Sequence, residues 1–270
     1  MGWTRTLSPR PCGTGWAVPE SIPVKPGYPG KRLFDLAVTA GVLLAFGPVM
    51  ALASFAVWLQ DFRSPLYLAP RVSRGGGDFT MIKIRSMVKG ADRSGVSSTS
   101  ATDMRITRVG HLIRKFKLDE LAQFLNVAGG SMSVVGPRPQ IRAGGTALYT
   151  AEEMRLLSVR PGITDLASIV FSDEGEILAG SNDPDALYDR IIRPWKSRLG
   201  LWYVDHMSLA LDLRIGWLTA LAILDKPRAV RTVAELLDAR GAPADLVAVC
   251  RRDAPLPEAP PPGATATGAG

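Results

Sequence analysis

The chain has 270 residues, a formal net charge of +7 at pH 7 and 46% hydrophobic residues. This length and apolar content allow one domain of moderate size with additional segments at its ends. The only two cysteines, Cys12 and Cys250, have no metal-ligand spacing, which argues against a disulfide framework or a cysteine metal site and favours a reducing compartment. The positive charge suits an anionic lipid surface, an anionic substrate or a nucleic acid.

The two ends of the chain differ in composition from its middle. Residues 1–30 are rich in proline and are predicted to be a flexible N-terminal lead. Residues 254–270 are rich in proline, alanine and glycine and are predicted to be a disordered tail. Before that tail, residues 226–253 are predicted to be a helical extension to which the sequence assigns no function.

Residues 31–62 contain an uncharged apolar run. The run covers about 24 residues from Leu36 to Leu59, and a helix of that length measures roughly 36 Å, enough to cross a ~30 Å bilayer core. Gly47 and Pro48 fall at its middle, so two interpretations stay open: a spanning helix with a proline kink, or two short arms that dip into one leaflet and return. Basic residues on both flanks favour the return. A signal peptide cleaved near Ala53 is a weaker alternative.

Residues 63–225 are predicted to fold as the main domain. The run Gly75–Gly77 followed by alternating residues predicts a turn into a strand, and it lacks the lysine and serine spacing of a phosphate loop. The polar segment Ser94–Thr102 is predicted to be a loop near the active site. Ser208–Leu224 predicts an apolar helix that lies in a membrane interface.

An adjacent carboxylate pair, Asp119 and Glu120, lies within a helical pattern. One face of that pattern is apolar and predicted to be packed, and a second face is a polar stripe that points to solvent. The apolar face holds Leu118, Leu121, Phe124 and Leu125, and the stripe holds Lys115, Asp119, Gln123 and Asn126. Two such carboxylates suit Mg²⁺ together with substrate phosphate oxygens. The alternative is a solvated face with a weak Lys115–Asp119 ion pair, worth about 0.3–0.5 kcal/mol.

Two arginines next to prolines favour a phosphate-binding site over a solvated helix face. Arg138 lies between Pro137 and Pro139, and Arg160 precedes Pro161. Proline fixes its own φ and restricts the preceding residue, so these backbones are stiff and the guanidinium groups are pre-positioned. Together with Arg114, they predict a site that binds a phosphate anion.

The motifs resemble those of a known family. They are KRLFDL (31–36), FTMIKIRSM (79–87), TRVGHLIRKFKLDELAQFLNV (107–127), SMSVVGPRP (131–139), RPGIT (160–164) and YVDHMSLALDLRI (203–215). In this order they resemble the bacterial sugar transferases, the monotopic phosphoglycosyl transferases. The resemblance covers roughly residues 31–225. It implies transfer of sugar-1-phosphate from a UDP-sugar to a polyprenyl (undecaprenyl) phosphate, with release of UMP, as the first step of exopolysaccharide or glycoconjugate synthesis.

The resemblance also implies roles for individual residues. Asp119 would be the nucleophile that forms a phosphoglycosyl-aspartate, and Asp119 and Glu120 would hold Mg²⁺. The cations implied to bind phosphate or substrate are Lys83, Arg85, Arg114, Arg138 and Arg160. The implied fold is α/β and mostly helical, with a re-entrant membrane helix that breaks at Gly47-Pro48 and a catalytic domain on the cytoplasmic face of the bacterial inner membrane. Membrane lipid is an expected partner, and a homodimer stays open.

Two other function classes remain as alternatives. The first is a non-catalytic, basic, membrane-associated binding module, against which the intact Asp119-Glu120 pair argues. The second is a nucleic-acid binder; we expect no nucleic acid, because basic residues are interleaved with acidic ones and no stacking-aromatic motif is present. Where the family usually has Gly-Trp after RPGIT, this chain has Asp165-Leu166. Asp165 is therefore a candidate to contact the sugar donor. The sequence does not identify which sugar is transferred.

Overall fold

The computed structural model describes residues 22–91, 104–142 and 145–264. The predicted Ser94–Thr102 loop, Cys12 and most of the N-terminal lead lie outside these ranges. Within them helices dominate and strands are few and short, so the predicted class, α/β and mostly helical, is confirmed.

The first half of the described chain contains all of its strands. Its elements are α1 (Lys31–Asp61), β1 (Leu66–Val72), β2 (Asp78–Ile84), α2 (Arg108–Lys115), α3 (Gln123–Ala128), β3 (Ser133–Val135) and β4 (Gly162–Thr164). The second half is helical. It consists of α4 (Leu166–Val170), α5 (Glu174–Ile177), α6 (Pro184–Ile191), α7 (Arg193–His206), α8 (Leu209–Leu224), α9 (Lys226–Asp238) and α10 (Ala244–Arg251).

Two small sheets lie beside the helices. β1 and β2 form an antiparallel hairpin in which Leu66 pairs with Ile84 and Val72 with Asp78. The predicted turn into a strand at Gly75–Gly77 is confirmed, because Gly75 adopts a φ of 79° between the two strands. β3 and β4 pair in parallel. A Cβ on Gly162 would lie 2.2 Å from the nitrogen of Gly136, so this close approach of the two backbones requires glycine.

The main core lies among α4, α7, α8, α9 and α10. It buries Leu199, Tyr203, Leu211, Ile215 and Leu237 almost completely. The C-terminal extension therefore contributes two helices to the same core as the rest of the domain. Burial of these apolar side chains is the main favourable contribution to its stability.

One consequence concerns Cys250, which α10 buries completely. Burial raises the pKa of its thiol to about 12. The thiolate is the reactive form, so we expect Cys250 to resist iodoacetamide at pH 8 in the folded protein and to react only after unfolding. Mass spectrometry of a Cys12→Ser variant measures this. Rapid labelling without unfolding would mean that α10 does not pack as described.

Residues 254–264, which the sequence assigns to a disordered tail, lie instead against the helical body. Trp195 donates to the carbonyl of Pro257 at 2.9 Å, and Arg198 donates to that of Pro260 at 3.0 Å. At the other end, Ile22 is buried and the amide of Lys25 donates to Ser158 O at 2.9 Å. Proline-rich chain is extended, but its carbonyl groups still accept hydrogen bonds and its apolar side chains still pack.

The apolar run forms α1, a single helix of 31 residues with Pro48 inside it. It is the one helix in the described part of the chain that is long and apolar enough to cross a membrane. The predicted break at Gly47-Pro48 is not observed, because α1 continues through both residues. Proline inside a helix removes one hydrogen bond and bends the helix, and a bilayer environment tolerates this.

The middle of α1 is apolar and exposed, whereas both ends are packed. Leu44 is 85% exposed and Leu52 69%. Near the N-terminal end Asp35 is fully buried, and near the C-terminal end Val57 packs with Ile84 and Ala122. An exposed apolar stretch of this size marks a surface that lies against lipid or protein.

Candidate active site

The carboxylate pair lies on a 3₁₀ turn and not on the continuous helix that the periodicity predicts. The turn spans Leu118–Glu120, between α2 and α3. Lys117, the residue before the turn, has a left-handed φ of 52°. This conformation changes the direction of the chain after α2. The polar stripe of the sequence analysis therefore does not exist as one face, and its Lys115–Asp119 ion pair is not among the contacts of the described residues.

Two members of that stripe are buried instead of solvated. Gln123 is 1% exposed and Asn126 6%, whereas Leu125 of the predicted packed face is 40% exposed. The side-chain nitrogen of Asn126 donates to Thr80 O at 2.7 Å. Its side-chain oxygen accepts from the backbone amide of Ile82 at 2.8 Å. These bonds complete the edge of β2, so burying a polar side chain costs little. They also fix α3 to β2 and hold the 3₁₀ turn beside that strand.

Arg138 and Glu120 form an ion pair across the site. The Arg138 guanidinium also donates to Ile163 O at 3.4 Å, and its backbone amide donates to Asp165 Oδ2 at 3.3 Å. The other oxygen of Asp165 caps α4 at the amide of Ser168. Asp165, a predicted donor contact, is thus 4% exposed and bound to the protein itself. Its role in the structure is to fix the backbone that carries Arg138.

The two adjacent carboxyl groups have opposite pKa shifts. Burial raises the pKa of Asp119, and the charges of Lys83 and Arg114 oppose that rise only in part. Burial also acts to raise the pKa of Glu120, but the charge and hydrogen bond of Arg138 outweigh it and lower the net value. Glu120 is therefore a fixed anion that holds Arg138, whereas the Asp119 carboxyl is left available for an electrophile or a cation.

The hairpin supplies two further cations. Lys83 on β2 lies near Asp119, Glu120 and Arg138, and burial followed by the charge of Arg138 lowers its pKa. Residues that alternate along paired strands share a face, which places Arg71 of β1 on the side of Lys83. The Arg71 charge also acts on Lys83 and Arg138 acts on Arg71. Arg71 is not predictable from the sequence as a site residue, because only the strand register identifies its face.

Five of the predicted residues thus come together, and we call Lys83, Arg114, Asp119, Glu120 and Arg138 the Asp119 site. Two others do not join it. Arg85 forms a two-point ion pair with Asp61 at 2.7 and 2.6 Å, which ties the end of α1 to β2. Arg160 donates to Gly130 O at 3.0 Å, and the charges that act on it are those of Arg74, Arg32 and Asp35. Gly47 and Pro48 lie in the exposed middle of α1.

The Asp119 site has too few carboxylates to enclose a magnesium ion, so it would bind Mg²⁺ together with the phosphates of the substrate. Within residues 22–91, 104–142 and 145–264 no three histidine, cysteine, aspartate or glutamate residues cluster to hold a metal. Mg²⁺ usually takes one or two carboxylates and completes its shell with substrate phosphates and water. The Asp119 carboxylate, which forms no direct ion pair with a cation among the described residues, fits that requirement, and Glu120 is its neighbour.

Comparison with known proteins agrees with the motifs. The family profile described as Bacterial sugar transferase matches residues 27–226. An undecaprenyl-phosphate glucose phosphotransferase of Komagataeibacter xylinus is 40% identical over 195 residues, which cover 70% of this chain and 35% of that protein. The uncharacterized sugar transferase EpsL of Bacillus subtilis (strain 168) is 37% identical over 72% of this chain and 87% of its own.

A third relative has a more specific name. A UDP-glucose:undecaprenyl-phosphate glucose-1-phosphate transferase of Caulobacter vibrioides is 32% identical over 72% of this chain and 69% of its own length. Since the chain spans about a third of the Komagataeibacter protein, that relative's whole activity is not carried over by the match. The family profile covers most of the chain and includes every residue of the Asp119 site, so the chain belongs to the bacterial sugar transferase family.

Proposed function

We propose that this protein transfers sugar-1-phosphate from a UDP-sugar to undecaprenyl phosphate and releases UMP, as the initiating step of exopolysaccharide or glycoconjugate synthesis. The observation that carries the proposal is an Asp119 carboxylate that lies beside Lys83, Arg114 and the Glu120-bound Arg138 and forms no direct ion pair within the described part of the chain. A carboxylate amid fixed cations can approach an anionic diphosphate, which would otherwise repel it. The names of the Komagataeibacter and Caulobacter relatives support the substrate class.

The proposed chemistry has two displacements at one phosphorus. An Asp119 oxygen attacks the phosphorus that bears the sugar, the bond to the bridging oxygen breaks, and UMP leaves with the electron pair. A phosphate oxygen of the polyprenyl phosphate then attacks the same phosphorus and the aspartate carboxylate leaves. The product is a polyprenyl-diphosphate-sugar, and Asp119 is regenerated. Glu120 cannot exchange roles with Asp119, because it binds Arg138.

Magnesium belongs to this proposal as an expected partner. Asp119, with Glu120 next to it, would hold the ion together with the diphosphate of the donor. Bound there, Mg²⁺ would neutralise charge on the reacting phosphates. The protein's own contribution is to orient those phosphates with Arg138 and to supply the positive charge of Lys83 and Arg114.

We also propose that α1 enters one leaflet and returns to the cytoplasmic side. Asp35 contacts Ser133 through a 2.9 Å hydrogen bond, and Val57 packs near Ala122. A straight helix would separate Asp35 from Val57 by about 33 Å. Ser133 and Ala122 flank α3, which is about 9 Å long, so both ends of α1 meet the same small part of the domain. A bend near Pro48 reconciles these distances.

Labelling in intact cells tests this topology. Single cysteines at the exposed positions Pro29→Cys and Arg63→Cys flank α1 in a chain that lacks Cys12 and Cys250. We expect neither to react with a membrane-impermeant maleimide until the membrane is permeabilised. Reaction of one of the two from outside would establish a spanning helix and refute the return.

A donor-panel assay tests the activity. Detergent-solubilised protein is incubated with Mg²⁺, undecaprenyl phosphate and one UDP-sugar at a time, and UMP is measured. We expect UMP release with at least one donor. When the lipid acceptor is omitted, we expect UMP release to stop after a single turnover. A binding module without catalysis, the alternative function, would release no UMP with any donor while still binding the membrane.

A conservative substitution tests the role of Arg138. We expect Arg138→Lys to lower kcat/KM by about 10²-fold, because lysine keeps the charge but cannot contact Glu120 and a substrate oxygen through one planar group. Arg142→Lys is the matched control, since Arg142 pairs with Asp78 at the exposed end of the hairpin. Equal activity in the two variants would remove Arg138 from the substrate site.

A further inference from the structure

A second pocket lies at the N-terminal end of α1. Four basic side chains and one carboxylate line it together with Ser133, Tyr203 and Met207. The charged residues are Lys25, Lys31, Asp35, Arg74 and Arg160. We call this the second basic pocket. Its position next to the first exposed apolar residues of α1, Leu33 and Leu36, puts it beside the surface that we assign to lipid.

Lys31 is already neutralised in this pocket. Its ammonium group lies 2.5 Å from Asp212 and 3.4 Å from Asp35, and both carboxylates are fully buried. Asp35 Oδ1 also accepts from Ser133 and from the amide of Val134. Two buried carboxylates thus share one lysine, which leaves one negative charge against the remaining cations, Lys25, Arg74 and Arg160. The pocket keeps a surplus of positive charge.

The remaining cations have unused donors. Arg160 donates to Gly130 O through Nε alone, so both terminal nitrogens make no hydrogen bond or ion pair within the described residues. Arg74 makes no hydrogen bond or ion pair within that part of the chain either, and Lys25 makes one side-chain bond, to Val204 O. Burial and then the charges of Arg74 and Arg32 lower the pKa of Arg160, so these groups lie close enough to repel one another.

This pocket is separate from the Asp119 site. The charges that act on Arg160 are Arg74, Arg32 and Asp35, whereas those that act on Arg138 are Glu120, Asp165 and Asp119. Within the ranges that the structure describes, the two guanidinium groups share no hydrogen-bond partner. A group that binds Arg160 therefore does not have to occupy the donor position next to Asp119.

We propose that Arg74, Arg160 and Lys25 bind a phosphate group in the second basic pocket. Neighbouring guanidinium groups with free terminal nitrogens match the oxygens of a phosphate and form charge-assisted bonds, and the anion relieves their mutual repulsion. Two sources share this chemistry: the headgroup of an anionic lipid beside α1, or a free phosphate from solution.

Ligand-induced stabilisation of the full-length protein in detergent tests the pocket. The probes are dioctanoyl phosphatidic acid and, separately, inorganic phosphate, and the readout is the thermal unfolding midpoint across a titration. Arg74→Gln removes a half-buried side chain that has no partner in the described structure, so the variant should fold. Arg231→Gln, exposed on α9, is the matched control. We expect at least one probe to raise the wild-type midpoint, with a half-saturating concentration about tenfold higher in Arg74→Gln and unchanged in Arg231→Gln.

The same titration on Asp119→Asn separates this pocket from the proposed reaction. We expect the shift to persist in that variant, whether or not the protein releases UMP. Stabilisation by the lipid alone assigns the pocket to a headgroup, and stabilisation by both probes assigns it to the phosphate group itself. The proposal is overturned if neither probe stabilises the wild type, if Arg74→Gln responds like the wild type, or if Asp119→Asn abolishes the response.

Discussion

Asp119→Asn should reduce the rate of UMP release by at least about 10³-fold, the size of effect expected when a nucleophile is removed and the substrate-binding groups remain. An amide oxygen lacks the charge that attack on phosphorus needs. The neighbouring carboxylate cannot replace it, since Glu120 is paired with Arg138. The measurement is UMP release with the best donor of the panel, together with mass spectrometry of protein treated with donor but no lipid acceptor. The wild type should gain the mass of a sugar phosphate, and the variant should not.

Glu176→Gln is the control for that experiment. Glu176 is an exposed carboxylate on α5, and we expect its loss to leave both UMP release and adduct formation unchanged. Substantial activity in Asp119→Asn, or an adduct on a residue other than Asp119, would refute the nucleophile assignment. The family membership would stand in either case, because it rests on the profile match and not on the mechanism.

The sequence predicts the chemistry of this site better than its local geometry. The pairing of Arg138 with the carboxylate segment follows from two motifs, and the structure joins them through Glu120. The 3₁₀ turn was not predictable, because it depends on a left-handed lysine, Lys117, and lysine carries no preference for that conformation. A helical period also identifies a stripe without showing which side is packed, so the burial of Asn126 was missed.

Contacts between segments that are distant in sequence are the second feature that the sequence does not predict. Arg138 and Arg160 look equivalent in sequence, since a proline follows each of them. The Arg138 side chain donates to Ile163 O and the Arg160 side chain to Gly130 O, and no local pattern contains these contacts or the close approach of the Gly136 and Gly162 backbones between them. The packing of residues 254–264 was missed for a related reason. Composition predicts whether a segment can form its own core, but not whether an existing core offers it acceptor and donor partners.

The largest effect on stability is expected at Asp212, in a buried network that joins α1, α7, α8 and the segment before α1. Its carboxylate lies 2.5 Å from Lys31 Nζ, and it accepts from the hydroxyl groups of Tyr28 and Tyr203 at 2.8 Å each. Burial and the Asp212 interaction raise the pKa of both tyrosines, so they remain protonated donors. Asp212→Ala leaves Lys31 and two hydroxyl groups without this acceptor, and we expect the free energy of unfolding to fall by about 3–5 kcal/mol.

The thermal unfolding midpoint in detergent measures this loss, and two further variants interpret it. Asp205→Ala removes an exposed carboxylate that pairs with Arg155, and it should change the midpoint little. Asp212→Asn, which keeps a side-chain oxygen as acceptor, should lose less stability than Asp212→Ala, because Lys31 stays paired with Asp35 and the cost of Asp212→Ala lies mainly in the buried donors that it leaves without an acceptor. Equal midpoints for Asp212→Ala and Asp205→Ala would show that the network does not fix α1 to α8. In that case the N-terminal end of α1 would be held by its other contacts, which include the bonds of Asp35 to β3 and of Arg32 to α3.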